Sequence, residues 1–393
     1  MGKKLQTIFE LLGANDEEID EVLSYLTCGE KKPLEDEEIE RLARIAEEEM
    51  QDSTEDIILE ILKEQEETEK IDMEFRLLQL IGNKKTNIQI CKKLGIETDE
   101  LYRMLIDLKI KGRQVEKKYF SNGVIRYDHI KSLDKMDAAK NGFEKTIYSS
   151  PDVDNIKFLL ISDLHFGSNL ERPDLVDSAF AYCRKHGIHI IICGGDFIEG
   201  ASRHGKKHVS SVEKQLQFFM DRYPHDDHIL TFGVAGNHDA SAVKAHGINI
   251  IDLFDNYRPD IILGDFGGTK INIKNDHMYL YHSVPGREFM HTGSPIVIHG
   301  HAHTYKLTHD KNNLNIVLPA LCNINTFVPS ALELEINFRG GYFGKTKVKQ
   351  IYFDDEMDFV FGEAEFNLSR GKCIDENAPI KNEESLGRTK KLH

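Results

Sequence analysis

Five short segments of this chain carry side chains able to hold metal ions. They are Asp163-Leu164-His165, Gly194-Gly195-Asp196 with Glu199 three residues on, Gly236-Asn237-His238-Asp239, His282, and Gly300-His301-Ala302-His303. Each alone has a plain explanation. Asp-x-His arises by chance, Gly-Asp is more often a turn, and a single histidine at a strand end is usually a satisfied core residue. Together they are harder to dismiss. Carboxylate, amide oxygen and imidazole are donors that suit manganese, iron or zinc, and the adjoining glycines leave room for close backbone approach. The chemistry open to such a set is metal-assisted hydrolysis.

Something must bring five distant segments to one place. From Ile156 onward, short apolar runs alternate with helical stretches: Ile156–Ile161, Ile188–Cys193, Ile229–Val234, Met278–Tyr281, Ile296–Ile298 and Ile316–Leu318. Each is rich in Ile, Leu, Val and Phe and suits a strand buried on both faces. A helix near Asp174–His186, stopped by Gly187, separates the first two. Nearly every strand runs straight into one of the metal-competent segments, the arrangement of an α/β sandwich with ligands on loops at strand ends.

Upstream the pattern changes. Residues 1–70 carry a net charge of −15 and read as short amphipathic helices, with Leu5, Ile8, Phe9, Leu11 and Leu12 on one apolar face. They show no chemistry. Residues 71–140 are net +5. Here the spacing predicts a helix around Met73–Ile81, a second over Asn87–Leu94 and a third capped by Thr98 that buries Leu101, Leu105 and Leu108. Alternation from Val115 to Tyr127 about Asn122-Gly123 predicts a β-hairpin. Three helices and a hairpin resemble a winged-helix domain. Lys117, Lys118 and Arg126 on the hairpin are the candidates for nucleic-acid contact, because Asp99, Glu100 and Asp107 on the third helix would repel a phosphate backbone. The six cysteines form no C-x-x-C pair, which argues against a disulfide framework and against a cysteine zinc site.

The five segments resemble the motif series of the calcineurin-like metallophosphoesterase superfamily, D-x-H, G-D-x-x-D/E, G-N-H-D/E, H and G-H-x-H, over about residues 156–350. The resemblance implies an α/β fold, a four-layer β-sandwich flanked by helices, preceded here by the helical segment and the winged-helix-like domain. Uncharacterised prokaryotic members share that layout. It also implies two divalent cations, manganese first, with iron or zinc as alternatives. One metal would take Asp163, His165, Asp196 and His303; the other would take Asp196, Asn237, His282 and His301, with Asp196 bridging. Metals about 3.5–4 Å apart share a hydroxide and bring its pKa toward neutrality. That hydroxide would attack phosphorus in line while His238 protonates the leaving oxygen, its ring oriented by Glu199 or Asp239.

The expected domains are an acidic helical segment (1–70), a winged-helix-like domain (71–131), a linker (132–155), the phosphoesterase domain (156–353) and a partly disordered extension (354–393). Alternation through Leu332, Leu334, Ile336 and Phe338, then Val348 and Ile351, reads as edge strands closing the sandwich. Gly200 follows Glu199 where protein phosphatases of the superfamily carry a phosphate-gripping Arg. With the complete ligand set joined to a winged-helix-like module, the expected substrate is a phosphodiester in a nucleic acid or nucleotide. The alternatives are a phosphomonoester or cyclic nucleotide, with the winged helix in a regulatory role, and a non-catalytic metal scaffold. The loop Arg203 to His208 would either steer a polyanion or be plain solvated surface. No apolar run approaches membrane-spanning length, and Met1-Gly2-Lys3-Lys4-Leu5 lacks a secretory core. A cytoplasmic protein without a membrane partner is the expectation; oligomeric state is open.

Overall fold

The structure is a computed structural model that describes residues 70–113, 115–129, 143–201, 207–284, 293–309, 313–324, 328–353 and 359–368. The helices expected before residue 70, the tail beyond residue 368 and Arg203 to Lys206 lie outside the described residues. From Met73 onward the described chain belongs to one compact unit, and no described helix is long and apolar enough to cross a membrane.

Helix α1 (described over 70–82), α2 (Asn87–Leu94) and α3 (Thr98–Ile110) lead into a hairpin of β1 (Val115–Phe120) and β2 (Ile125–His129). Thr86 caps α2 through a reciprocal bond pair with Gln89. The cap of α3 is Glu97, not Thr98. The Thr98 hydroxyl instead donates to Asp227 Oδ1 at 2.7 Å, a tertiary use that outweighs its local preference.

Two sheets follow. The seven-stranded one runs β15-β14-β13-β4-β5-β6-β7, formed by β4 (Asn155–Ile161), β5 (Ile190–Cys193), β6 (Leu230–Ala235), β7 (Ile261–Phe266), β13 (Ala331–Arg339), β14 (Tyr342–Tyr352) and β15 (Phe359–Asn367). Strands β4 to β7 are mutually parallel. The eight-stranded one runs β11-β12-β10-β9-β8-β3-β1-β2, adding β3 (Glu144–Tyr148), β8 (Gly268–Ile273), β9 (Asp276–Tyr281), β10 (Ile296–His299), β11 (Lys306–His309) and β12 (Leu314–Val317). Helices α4 (Pro173–His186), α5 (Val212–Arg222), α6 (Asn237–His246) and α7 (Ile250–Tyr257) complete the described elements.

The period of two decides which core each residue joins. Phe158, Leu160, Ile190, Ile192 and Phe232 face the other sheet, against Ile271, Met278, Leu280 and Ile298. Leu159, Ile161, Ile191 and Cys193 face the helices, against Val176, Phe180, Phe219 and Phe254. Each fully buried side chain of this size contributes about 1.5–3 kcal/mol, so the central strands form a stiff platform with both faces covered.

Three expectations need correction. β13 is not an edge strand, because it sits between β4 and β14, and the edge on that side is β15. β15 lies in the stretch expected as a C-terminal extension. β3, inside the stretch expected as a linker, pairs with β1 and β8 and so carries the hairpin into the main sheet. β3 gains its stability from neighbours remote in sequence, which a local pattern does not encode.

Candidate metal centre

Strands β4, β5 and β6 point the same way and end at Asp163, Asp196 and Asn237; β9 and β10 end at His282 and His301. The loops after β4 and β5 are bonded backbone to backbone. Asp163 N donates to Gly195 O (3.0 Å), and Leu164 N and His165 N both donate to Asp196 O (2.9 and 3.1 Å). These loops impose conformations that side chains rarely accept. Of the seven described non-glycine residues with positive φ, five are Asp163, His165, Asp196, His301 and His303. At about 1–3 kcal/mol each, such strain persists only because the sheet behind it over-determines the geometry.

Ligand atoms of Asp163, His165, Asp196 and His303 all lie within 4.8 Å of one another, as do those of Asp196, His282 and His301. His303 Nε2 is 3.0 Å from Asp163 Oδ1, and His282 Nε2 is 3.2 Å from Asp196 Oδ2. Asn237 Oδ1 lies 2.9 Å from both His282 Nε2 and His301 Nδ1. Asp196 belongs to both groups. Each of the seven ligand residues expected from the sequence therefore comes to one spot. The floor is buried, with Asp163, His165 and His282 fully enclosed, whereas His301 is exposed and His303 and His238 are partly so. Access is from that rim.

Hydrogen bonds behind the cluster fix which nitrogen faces it. His165 Nδ1 donates to Glu199 Oε2 at 3.0 Å, and His282 Nδ1 donates to Gly194 O at 2.7 Å. A carbonyl or carboxylate can only accept, so each Nδ1 carries a proton and Nε2 of the neutral ring turns a lone pair inward. Asp163 Oδ1, His165 Nε2 and Asp196 Oδ2 are buried with no hydrogen-bond partner. Buried acceptors crowded against acceptors are costly. Divalent cations among them would remove that cost, so the residues fit the two ions.

Charge in the cluster is tightly balanced. Burial opposes the ionised form of Asp196, yet His282, His165 and His238 hold its carboxyl well below the usual range. Burial also opposes a charged His282, but Asp196, aided by Asp163 and the Gly194 carbonyl, pushes the imidazole up to about 9. His165 is raised too: burial works against it, while Glu199, Asp196 and Asp163 prevail. At His301 burial and the neighbouring His282 win, and its pKa falls.

His238 Nδ1 donates to the Glu199 backbone carbonyl at 2.8 Å, so in the neutral ring the proton sits on Nδ1. Neither expected carboxylate makes this bond. The Glu199 side chain is taken by His165, its other oxygen staying 3.8 Å from His238 Nδ1. Asp239 is turned away altogether. Its carboxylate accepts from the backbone N–H of Phe197, Ile198 and Gly236 (3.2, 3.1 and 2.9 Å), tying the loop after β5 to the start of α6. Burial and Asp196 push Asp239 up to about 6 against those donors. Its role is to hold loops.

Three supporting residues escaped the sequence reading. Ser162 Oγ donates to Asp163 Oδ2 at 2.5 Å. Gln215 accepts from Gly200 N and donates back to Gly200 O, and Ser241 accepts from Ala201 N while donating to His238 O. Only Ser162, beside a motif aspartate, could have been suspected; Gln215 and Ser241 reach the site through helices whose placement is tertiary.

With this geometry in hand, comparison with known proteins gives a family model, calcineurin-like phosphoesterase, matching residues 156–362. A search of curated protein sequences returns no match. Similar solved structures include an archaeal phosphodiesterase, 14% identical over 52% of this chain and 100% of that one, TM-score 0.33. Others are vacuolar protein sorting 29 from Cryptosporidium parvum (15%, 55% and 100%, TM-score 0.32) and a conserved uncharacterized protein, a predicted phosphoesterase, from Streptococcus pneumoniae (13%, 55% and 99%, TM-score 0.32).

Proposed function

The chain belongs to the calcineurin-like phosphoesterase family and is a hydrolase acting on phosphate esters; on that premise we propose that it cleaves phosphodiesters with two divalent cations. Asp163, His165, Asp196 and His303 would hold one, and Asp196, Asn237, His282 and His301 the other. The oxygen-and-imidazole donor set suits manganese, with iron or zinc as alternatives. Bound there, the pair supplies an activated water and positive charge for the non-bridging phosphoryl oxygens. His238 Nε2, with Nδ1 anchored on the Glu199 carbonyl, delivers a proton to the departing oxygen. The observation that carries metal dependence is the convergence of buried, partnerless lone pairs from Asp163, His165 and Asp196.

A diester is favoured over a monoester by Gly200. Its φ is +66°, and a β-carbon there would meet His238 O at 2.1 Å and Ser241 Oγ at 2.4 Å. No arginine can occupy this position without displacing His238, so the fold lacks the cation that grips a dianionic monoester at that point.

A nucleic acid gripped by the hairpin is disfavoured. Lys118 pairs with Asp128 at 2.5 Å and Arg126 with the same carboxylate at 3.5 Å. The module also docks at the wrong end. Thr98 and Tyr102 contact Asp227 and His225, and Gly123 lies against the His228 backbone with no space for a β-carbon. That loop precedes β6, whereas the metal residues follow it. Six strand residues separate the two ends, about 20 Å. The favoured substrate is a small diester, a nucleotide among them.

Manganese-loaded protein given bis-p-nitrophenyl phosphate, p-nitrophenyl phosphate and labelled DNA or RNA tests this. We expect diester turnover to exceed monoester turnover and to fall by about 10²–10⁴ in His238→Ala at unchanged metal content. Faster monoester cleavage, or two bound metals with no turnover of any substrate, refutes it.

A further inference from the structure

Lys145 stands where the alternation of β3 calls for an apolar residue. Its strand neighbour two positions on, Ile147, is buried in the core, and so is its partner across β8, Ile271. The β1–β3 register pairs Tyr119 with Ile147; continued two residues back beyond the paired residues, it sets Lys117 on the side of Lys145, whose ammonium feels the Lys117 charge. Like charges facing each other across a sheet are unfavourable.

A third ammonium joins them from α3. Lys117 Nζ donates to Asp255 O (2.6 Å) and Oδ1 (2.8 Å), and Lys109 Nζ lies 3.5 Å from Asp255 Oδ2 and 2.8 Å from Asn256 Oδ1. Three lysines thus gather round one carboxylate, an excess of two positive charges in a half-buried groove between the hairpin, β3 and α7. Burial depresses the pKa of Lys145, Asp255 raises it and Lys117 lowers it again, so these are the charges that the ammonium senses. Among the described residues Lys145 has no hydrogen-bond partner.

We propose that this groove is a second anion site, separate from the metal centre, in which Lys109, Lys117 and Lys145 take a small tetrahedral oxyanion: free phosphate or the terminal phosphate of a nucleotide. Three ammonium groups offer the charge-assisted donors that such an ion needs. Asp255 fixes two of the three side chains and keeps the groove folded when no ion is bound. None of Lys109, Lys117 and Lys145 belongs to the metal cluster, so an ion here need not compete for the metals.

The test is amine acylation of the full-length protein, read lysine by lysine by peptide mass spectrometry, with sulfate, inorganic phosphate or AMP as probe. Saturating anion should slow labelling of Lys117 and Lys145 about tenfold or more, with Lys92 and Lys349 unaffected. Lys145→Met should abolish protection of Lys117, and it should raise Tm without anion because it removes the like-charge pair. AMP protecting at far lower concentration than phosphate would make a nucleotide the ligand; equal protection would make it free phosphate. No saturable protection by any of the three, or protection of Lys117 that survives in Lys145→Met, overturns the proposal.

Discussion

Glu199 serves two histidines by different atoms. Its carboxylate holds His165 Nδ1, while its backbone carbonyl holds His238 Nδ1. A side-chain change should therefore separate the two roles. In Glu199→Gln the amide oxygen still accepts from His165, but the charge that raises the ring's basicity is gone. Metal affinity is expected to weaken by about 10–100-fold, measured by calorimetry on the apo protein. The His238 bond, made by backbone, should survive, so turnover at saturating metal should recover to near the parent value. An unrecoverable loss at saturating metal would mean that the carboxylate acts on His238 after all.

At the scale of elements, the loops bear strain that the strands sustain. β4, β5 and β6 are buried on both faces and fixed in register, and the left-handed turns at Asp163, His165 and Asp196 sit directly on their ends. Gly200 closes the same set of loops and meets the start of α6. Ala at this position combines a disfavoured φ with a collision at the His238 carbonyl. We expect Gly200→Ala to cost about 1–3 kcal/mol, visible as a lower Tm, and to displace His238 enough to depress turnover more than it depresses metal binding. A variant with the parent Tm and full activity would show that the turn relaxes freely.

Across the whole molecule, the hairpin and its helices are built into the phosphoesterase body. Tyr119, Ile125, Tyr127 and Ile147 join the same core as Phe158, Phe232 and Leu280, and β3 bridges β1 to β8. Amides of β1 and β2 should then exchange hydrogen with protection comparable to β5 and β6, because opening them means opening the shared core. Exchange of the hairpin several orders of magnitude faster would mark it as a separately folding module.

The sequence by itself determined the candidate donors and the strands that present them. Asp163, His165, Asp196, Asn237, His282, His301 and His303 were legible as candidates because nearly every short apolar run ends in a donor, and because those segments resemble the motif series of the superfamily. Their convergence, the inward lone pairs and the division of labour at Glu199 needed the tertiary structure, since residues up to 140 positions apart are brought together only by the stacking of two sheets. Asp239 shows the limit: beside His238 in sequence, it turns the other way because three backbone N–H groups offer a buried carboxylate more than one imidazole does. The fates of Lys117 and Lys145 were hidden for the same reason. Strand alternation can show that a lysine points inward, but only the fold shows what it meets there.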